Sequence, residues 1–325
     1  MQPSQTAPAK AAAGRPGGWS TGLARYGLLL ALAGICAALS LATPNFLTPQ
    51  NWIIVVRQIS INGILAVGVT VVLLTGGVDL SLGSLVALTG VVAACFAHPG
   101  EHVLIVPIFM GMLTGMLCGA VNGMVISRGG IAPFIVTLGM MTVARGLALV
   151  ISGGKPVSNL SRSFTTIGSG SLGPIPIPIL LLVAVAVLTH VVLKHTRLGR
   201  YVYAVGGNEN AALAAGINIK NVKTFAYTLC GALAGLAGVV LASRITTGQP
   251  NAGVAYELDA IAAVVIGGTS LSGGVGGVGG TLLGALLMGV INNGLDLLNV
   301  SSYYQQIVKG LIIVGAVWLD KRARK

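Results

Sequence analysis

The residues of this chain that could carry out catalysis do not form a recognisable constellation. The sequence shows no Ser-His-Asp, Cys-His or paired-carboxylate arrangement, and the cysteines fall in apolar runs without a CxxC pair. Neither a metal site nor a disulfide framework is indicated, and buried thiols are the simpler interpretation. The sequence therefore predicts that the protein is not an enzyme. The residues concerned are Cys36, Cys95, Cys118 and Cys230, with His98, His102, His190 and His195.

The chain also lacks a loop that could hold the phosphates of ATP. Such a loop needs the pattern GxxxxGK[ST], in which backbone N–H groups cradle the phosphates and the lysine reaches them. The glycine-rich run Gly267–Gly280 contains no lysine, and Lys155 is followed by Pro156. We therefore expect no cofactor in this chain. The glycine run instead predicts close helix packing or a helix unwound beside a polar path.

Polar side chains inside apolar runs are further candidates for function. Inserting a charged side chain at the centre of a bilayer costs roughly 2.5–3.5 kcal/mol, so each such residue needs a structural or functional reason to be there. Arg145 lies in the predicted fifth span. The predicted ninth span contains Asn292, Asn293 and Asp296, of which the first and last share a helical face. We interpret these four as candidates for a polar translocation path; the alternatives are an ion pair for Arg145 and interhelical hydrogen bonds for the asparagines.

Three acids near the starts of predicted spans are candidates for a structural or gating role. Asp79 follows Gly76–Gly77 and precedes Ser81, a pattern typical of a residue that caps a helix N-terminus. Glu257 and Asp259 lie at the start of the predicted eighth span.

The basic loop from Lys194 to Lys223 is an unusually polar internal segment, with an apolar run on each side. Within it, a Gly-Gly-Asn turn precedes an alanine-rich run that ends at a glycine, which is typical of a short helix with a terminator. A glutamate in the first turn suits the helix dipole. We predict that this helix docks an energy-supplying partner; the alternative is a basic loop held near anionic lipid. The docking residues are Asn208, Glu209, Asn210, Ala211, Ala212 and Gly216.

The composition indicates what kind of molecule must position these residues. The 325 residues are 54% apolar and 8% charged, with a mean hydropathy of +0.89. A soluble domain carries roughly 25% charged residues, so this composition predicts a polytopic membrane protein. The 48 glycines agree, because glycine is common where transmembrane helices approach closely.

The net charge of +12 does not indicate nucleic-acid binding, because of where the charges lie. Basic residues precede the first apolar run, fill the central loop and follow the last run, as the positive-inside rule predicts. We therefore expect both termini and the 194–221 loop to be cytoplasmic, with no nucleic-acid partner. The predicted organisation is a disordered tail at 1–25, a membrane domain at 26–319 and a basic tail at 320–325.

Apolar runs of sufficient length predict about ten transmembrane helices in an all-α fold. Ten crossings keep the basic C-terminus inside, whereas removing the short eighth run would place it outside. That glycine-rich run could nevertheless be re-entrant, and this alternative stays open. The predicted spans are 26–42, 59–75, 80–97, 103–126, 131–151, 175–193, 222–241, 258–272, 278–298 and 303–319.

Four long blocks of the sequence resemble the ribose-type permeases of bacterial monosaccharide ABC importers. They are LTGGVDLSLGSLVALTG (74–90), TRLGRYVYAVGGNENAALAAGI (196–217), YELDAIAAVVIGGTSL (256–271) and NNGLDLLNVSSYYQQIVKG (292–310). The resemblance runs from about residue 44 to the C-terminus. The central block also resembles the coupling segment of ABC importers, Glu-Ala-Ala, three residues and Gly, although Asn210 stands where glutamate is usual.

The resemblance implies an inner-membrane permease that translocates a monosaccharide, ribose above others. It implies a second copy of the chain, two ATPase domains, separate or fused as a tandem pair, that bind the ATP and dock at 208–216, and a periplasmic sugar-binding protein. It further implies a fold of the vitamin B12 importer type, with two related five-helix halves. The alternative function is a secondary sugar transporter driven by ions, with Asp79, Asp296 or Glu257 as the coupling carboxylate.

Overall fold

The computed structural model describes the backbone of residues 19–323 and the side chains of 27–315, 317 and 318. Most of the predicted N-terminal tail and the last two residues of the basic tail lie outside the described part. Apart from one short hairpin, the regular elements are helices. They are α1 (Trp19–Ala42), α2 (Pro49–Leu74), α3 (Leu82–Cys95), α4 (Ile105–Gly129), α5 (Pro133–Ser152), α6 (Arg162–Ser169), β1 (Ser171–Leu172), β2 (Ile175–Pro176), α7 (Ile177–His195), α8 (Arg197–Gly207), α9 (Glu209–Ala214), α10 (Ile219–Arg244), α11 (Tyr256–Ile266), α12 (Val278–Leu297) and α13 (Ser302–Ala323).

The all-helical membrane class is confirmed, but the prediction of about ten spans on the vitamin B12 importer pattern is wrong. Among the described residues, six helices are long and apolar enough to cross a membrane: α2, α4, α5, α7, α10 and α12. The apolar part of α1, Gly27–Ala42, and helix α3 are apolar but shorter. Helix α11, which replaces the predicted eighth span, has only 11 residues.

The overcount has a physical cause. An apolar run indicates that a segment is shielded from water. It does not indicate whether the segment crosses the bilayer. Helix α3 shows the difference, because 12 of its 14 residues are buried against the rest of the protein. An apolar helix of 10–14 residues is more often part of a core or a re-entrant segment than a span.

The core is built around α10, which packs against α2, α3 and α4. The contact with α4 uses glycines spaced four residues apart, so that the two backbones touch. A side chain added at Gly115 would overlap the carbonyl oxygen of Gly231, and one added at Gly123 would lie 2.7 Å from the Cα of Thr224. Small residues allow such close approach between membrane helices. The sequence prediction that glycine serves close packing is therefore confirmed at this interface.

Two glycine-rich connections meet at the ends of α2 and α11. The first corner is residues 75–81, between α2 and α3, and the second corner is residues 267–277, between α11 and α12. The backbone N–H of Gly274 donates to the carbonyl of Leu74 at 3.0 Å, which joins the second corner to the end of α2. Each corner therefore follows an apolar helix and precedes another one.

Candidate docking and translocation sites

The predicted docking helix is present as α9, and local sequence explains both of its ends. The side chain of Asn208 accepts a hydrogen bond from the N–H of Ala211 at 3.0 Å and caps the helix N-terminus. At the C-terminus, the N–H of Gly216 donates to Leu213 and that of Ile217 donates to Ala212. These two bonds form a Schellman motif, and Gly216 supplies its left-handed residue with φ of 79°.

The surface of α9 is mostly exposed and apolar. Ala212 is 3% exposed and anchors the helix to the protein, whereas Leu213 is 64% exposed. Asn210 and Ala211 are exposed as well. Leu213 therefore adds an exposed apolar side chain beside the predicted docking residues. Sequence reasoning missed Leu213, although its place in the alanine run was the available signal.

An ion pair joins α9 to α10. Both carboxylate oxygens of Glu209 accept hydrogen bonds from the Lys223 ammonium, at 2.8 and 2.9 Å. Glu209 is about half exposed, so this pair contributes little to stability and serves mainly to fix the direction of α9.

The first corner contains a buried polar cluster around Asp79. Its Oδ1 accepts hydrogen bonds from the backbone N–H and the hydroxyl of Ser81, at 2.9 and 2.6 Å, and the amide of Asn122 donates to that hydroxyl at 3.2 Å. Ser81, and not Asp79, occupies the N-cap position of α3. Asp79 thus shapes the corner by binding the residue that begins the helix. On the other side of the corner, the Tyr227 hydroxyl donates to the carbonyl of Val78 at 3.1 Å.

Arg145 binds backbone rather than a carboxylate. Its guanidinium donates to the carbonyls of Pro250 and Ala252, at 2.6 and 2.8 Å, and so ties α5 to the connection between α10 and α11. Glu257 lies close enough to interact with it electrostatically. Burial raises the pKa of the Glu257 carboxyl above its ordinary value, and the positive charge of Arg145 opposes part of that rise.

The polar residues of α12 have different surroundings. Asn293 and Asn51 exchange two side-chain hydrogen bonds, at 2.8 and 3.0 Å, so Asn293 connects α12 to α2. Asn292 is buried, and its Oδ1 has no hydrogen-bond partner in the described part of the chain. Asp296 is exposed and accepts a hydrogen bond from Gln305 at 2.8 Å. Asn292 and Asp296 therefore do not share one environment, although they are four residues apart on one helix.

Asp259 in the first turn of α11 has a partner that the sequence did not indicate. The ammonium of Lys309 on α13 lies 2.8 Å from its Oδ2, and the Asp259 side chain is only 4% exposed. This buried pair fixes α13 against α11. The four predicted path residues and the three predicted gate residues thus take part in several separate local contacts. Their roles in transport stay predictions.

Comparison with known proteins defines the class and then the family. Six candidate spans among the described residues are the features of a multi-pass membrane protein. The family described as "Branched-chain amino acid transport system / permease component" matches residues 51–317, which is more than half of the chain. The chain belongs to this family and is a membrane permease, as the resemblance implied.

Individual relatives give a more specific comparison than the family does. The ribose import permease protein RbsC of Escherichia coli strain K12 is 46% identical over 298 residues, covering 90% of this chain and 92% of the relative. RbsC of Bacillus subtilis strain 168 is 46% identical over 300 residues, covering 92% and 93%. The L-arabinose ABC transporter permease protein AraH of Azospirillum brasilense is 40% identical over 329 residues, covering 100% and 96%. These relatives are permeases and not enzymes. No solved structure matches the chain.

Proposed function

We propose that this chain is the permease subunit of an ATP-driven ABC importer that carries ribose across the bacterial inner membrane. The observation that carries the proposal is the 46% identity with ribose import permeases from two bacteria, over at least 90% of the chain. The relative named for L-arabinose is less similar, at 40%. The family description mentions branched-chain amino acids, but these near-full-length relatives are named for sugars. Ribose is therefore the substrate that we assign.

The partners follow from this function. ATP is bound and hydrolysed by an ABC ATPase that docks on α9 through Asn208, Glu209, Asn210, Ala211, Ala212 and Gly216, with Leu213 added from the exposed surface. A second copy of the chain completes the transporter, and a periplasmic sugar-binding protein delivers ribose. Both termini are cytoplasmic, and membrane lipids cover the exposed apolar faces. Alternating access at the axis between the two copies moves the sugar.

The polar residues have supporting roles in this proposal. Arg145, Asn292, Asn293 and Asp296 remain candidates for the translocation path. Asp79, Glu257 and Asp259 remain candidates for a structural or gating role. The ion-coupled alternative receives less support, because the family and the relatives are those of an importer permease.

Uptake by reconstituted vesicles tests the function. Liposomes that contain the permease and its ATPase, with ATP at the ATPase side and binding protein at the other, should accumulate labelled ribose. Liposomes with the permease alone should not accumulate it under a proton or sodium gradient. Accumulation driven by an ion gradient without any ATPase would contradict the proposal and favour the alternative function.

The docking assignment has its own test in Leu213→Arg. Because Leu213 is 64% exposed, the substitution should leave membrane insertion intact. A charged, longer side chain at the centre of an apolar contact should lower ATPase affinity by at least about tenfold. The measurement is co-purification of the ATPase with the permease. Leu172→Arg, at a residue 72% exposed on β1, is the matched control and should retain the ATPase. Equal retention by both variants would show that α9 is not the docking site.

A further inference from the structure

The end of α8 touches the end of α2, directly before the first corner, without any side chain between them. Gly206 lies so close to Leu74, at the end of α2, that an added Cβ would overlap the Leu74 carbonyl oxygen. The same Cβ would lie 2.6 Å from the backbone nitrogen of Gly274. Real Cβ atoms do not approach backbone atoms so closely, so only glycine fits here without a shift of the backbone.

The second corner touches α8 from its own side. A Cβ added at Gly273 would lie 2.8 Å from the carbonyl oxygen of Gly206, and one added at Gly274 would lie 2.8 Å from the Cα of Gly207. One turn earlier on α8, the Tyr203 hydroxyl donates to the carbonyl of Gly276 at 2.9 Å. The end of α8 is therefore in backbone contact with the second corner and with Leu74, the residue directly before the first corner. A Cβ added at Gly273 would also lie 2.9 Å from the backbone nitrogen of Gly76, so the two corners touch each other at the same place.

The same end of α8 is joined to α9, the proposed docking helix, through a single residue. Asn208 is the C-cap of α8, where its N–H donates to the Ala204 carbonyl at 3.1 Å. It is also the N-cap of α9 through its side chain. A single residue thus closes one helix and opens the next, so a movement of α9 displaces the end of α8.

We propose that Gly206 is a positioning residue through which movement of α9 reaches both corners together. The inference rests on the proposed function and extends it from the docking surface into the membrane. The first corner holds the Asp79 cluster and begins α3, and the second corner begins α12. Because packed backbones cannot absorb a displacement as flexible side chains do, a shift of α8 must move both corners. A cavity of about 360 Å³ beside this junction, lined by Gly76, Gly207 and Tyr227 among others, provides room for that movement.

The two adjacent glycines of α8 provide a matched pair for the test. Gly206→Ala would push against Leu74 and Gly274, whereas a Cβ added at Gly207 meets nothing within 4 Å. Both substitutions replace a glycine by alanine near the end of the same helix. The experiment uses the complete importer, with permease, ATPase and binding protein, in liposomes. It measures ribose transported per ATP hydrolysed, and retention of the ATPase by the permease.

The expected result separates transmission from docking. Gly206→Ala should retain the ATPase on α9, and its ribose-to-ATP ratio should fall by at least about tenfold. Gly207→Ala should stay within about twofold of the unaltered protein, because surface substitutions without new contacts have small effects. A purely structural defect would lower ATPase retention and membrane insertion as well, and would not change the ratio selectively.

If Gly206→Ala does not insert into the membrane, a second variant tests the inference. Tyr203→Phe removes only the hydrogen bond to Gly276 and should lower the ratio by about threefold or more. The inference is overturned if Gly206→Ala inserts and matches Gly207→Ala, or if it does not insert and Tyr203→Phe matches the unaltered protein. Uptake that needs no ATPase in the unaltered protein would instead overturn the proposed function, and this inference with it.

Discussion

At the scale of single residues, buried polar groups are the points where this fold depends on specific partners. The Asp259–Lys309 pair is largely removed from water, and the Asp259 Oδ1 has no hydrogen-bond partner in the described part of the chain. A buried charge that loses its partner is strongly unfavourable, whereas an exposed pair is nearly dispensable. The Glu209–Lys223 pair has the same 2.8 Å separation and is far more exposed.

These two ion pairs give a prediction with an internal control. Lys309→Met should lower the free energy of unfolding by about 3–5 kcal/mol, because it leaves the Asp259 carboxylate buried alone. Lys223→Met should lower it by less than about 1 kcal/mol, because Glu209 stays hydrated. Denaturant unfolding of both variants in detergent micelles measures the difference. Equal losses in the two variants would mean that burial does not govern the strength of these pairs.

The residue scale also shows what could be predicted about the site. The types of residues around α9 were sufficient to place its start after the Gly-Gly-Asn turn and its glycine terminator, because these interactions are local. The partners of Arg145, Asn293 and Asp259 were not predictable, because each is supplied by a segment far away in the chain. Asn51 and Asn293, for example, are separated by 242 positions.

At the scale of elements, the close contact between α4 and α10 determines how the core is assembled. Gly115 and Gly119 of α4 face Gly231 of α10, and their backbones replace side chains as packing surfaces. Within a membrane, such contacts supply packing that the hydrophobic effect does not provide between helices. The glycines on the exposed face of α5, Gly139 and Gly146, have open space around them instead.

Alanine substitutions should therefore separate the two classes of glycine. Gly115→Ala should destabilise the protein by about 1–3 kcal/mol, because the added methyl group overlaps the backbone of α10. Gly146→Ala meets no atom within 4 Å and should be neutral or stabilising by up to about 1 kcal/mol, because alanine favours the helix. The unfolding midpoint in micelles is the measurement. A loss at Gly146 as large as that at Gly115 would argue against a packing role for the glycines between α4 and α10.

At the scale of the whole molecule, the described cavities lie beside the proposed docking and transmission elements. Three cavities of about 360, 830 and 1040 Å³ adjoin α8, α9 or the second corner. The proposed function instead places the sugar path between two copies and leaves substrate selection to a separate binding protein.

The permease alone should therefore bind ribose weakly. Calorimetry with the purified permease in micelles should detect no binding at micromolar ribose, because in the proposed function the path lies between two copies and a separate binding protein selects the sugar. The binding protein, titrated in the same way, is the positive control. Micromolar affinity in the isolated permease would contradict this view and would place a specificity site within a single chain.

The sequence by itself determined the membrane class, the short helix α9 with its glycine terminator, and the family, because composition, turn residues and long sequence blocks are local properties. Only the tertiary structure decided which apolar runs form helices long enough to cross a membrane and which form short helices packed within the bundle. Burial by protein and burial by lipid leave the same apolar signature in a sequence, so α3 and α11 could not be told from spans. The junction of α8 with the end of α2 and the second corner could likewise not be predicted, because its contacts are between backbones from three distant segments.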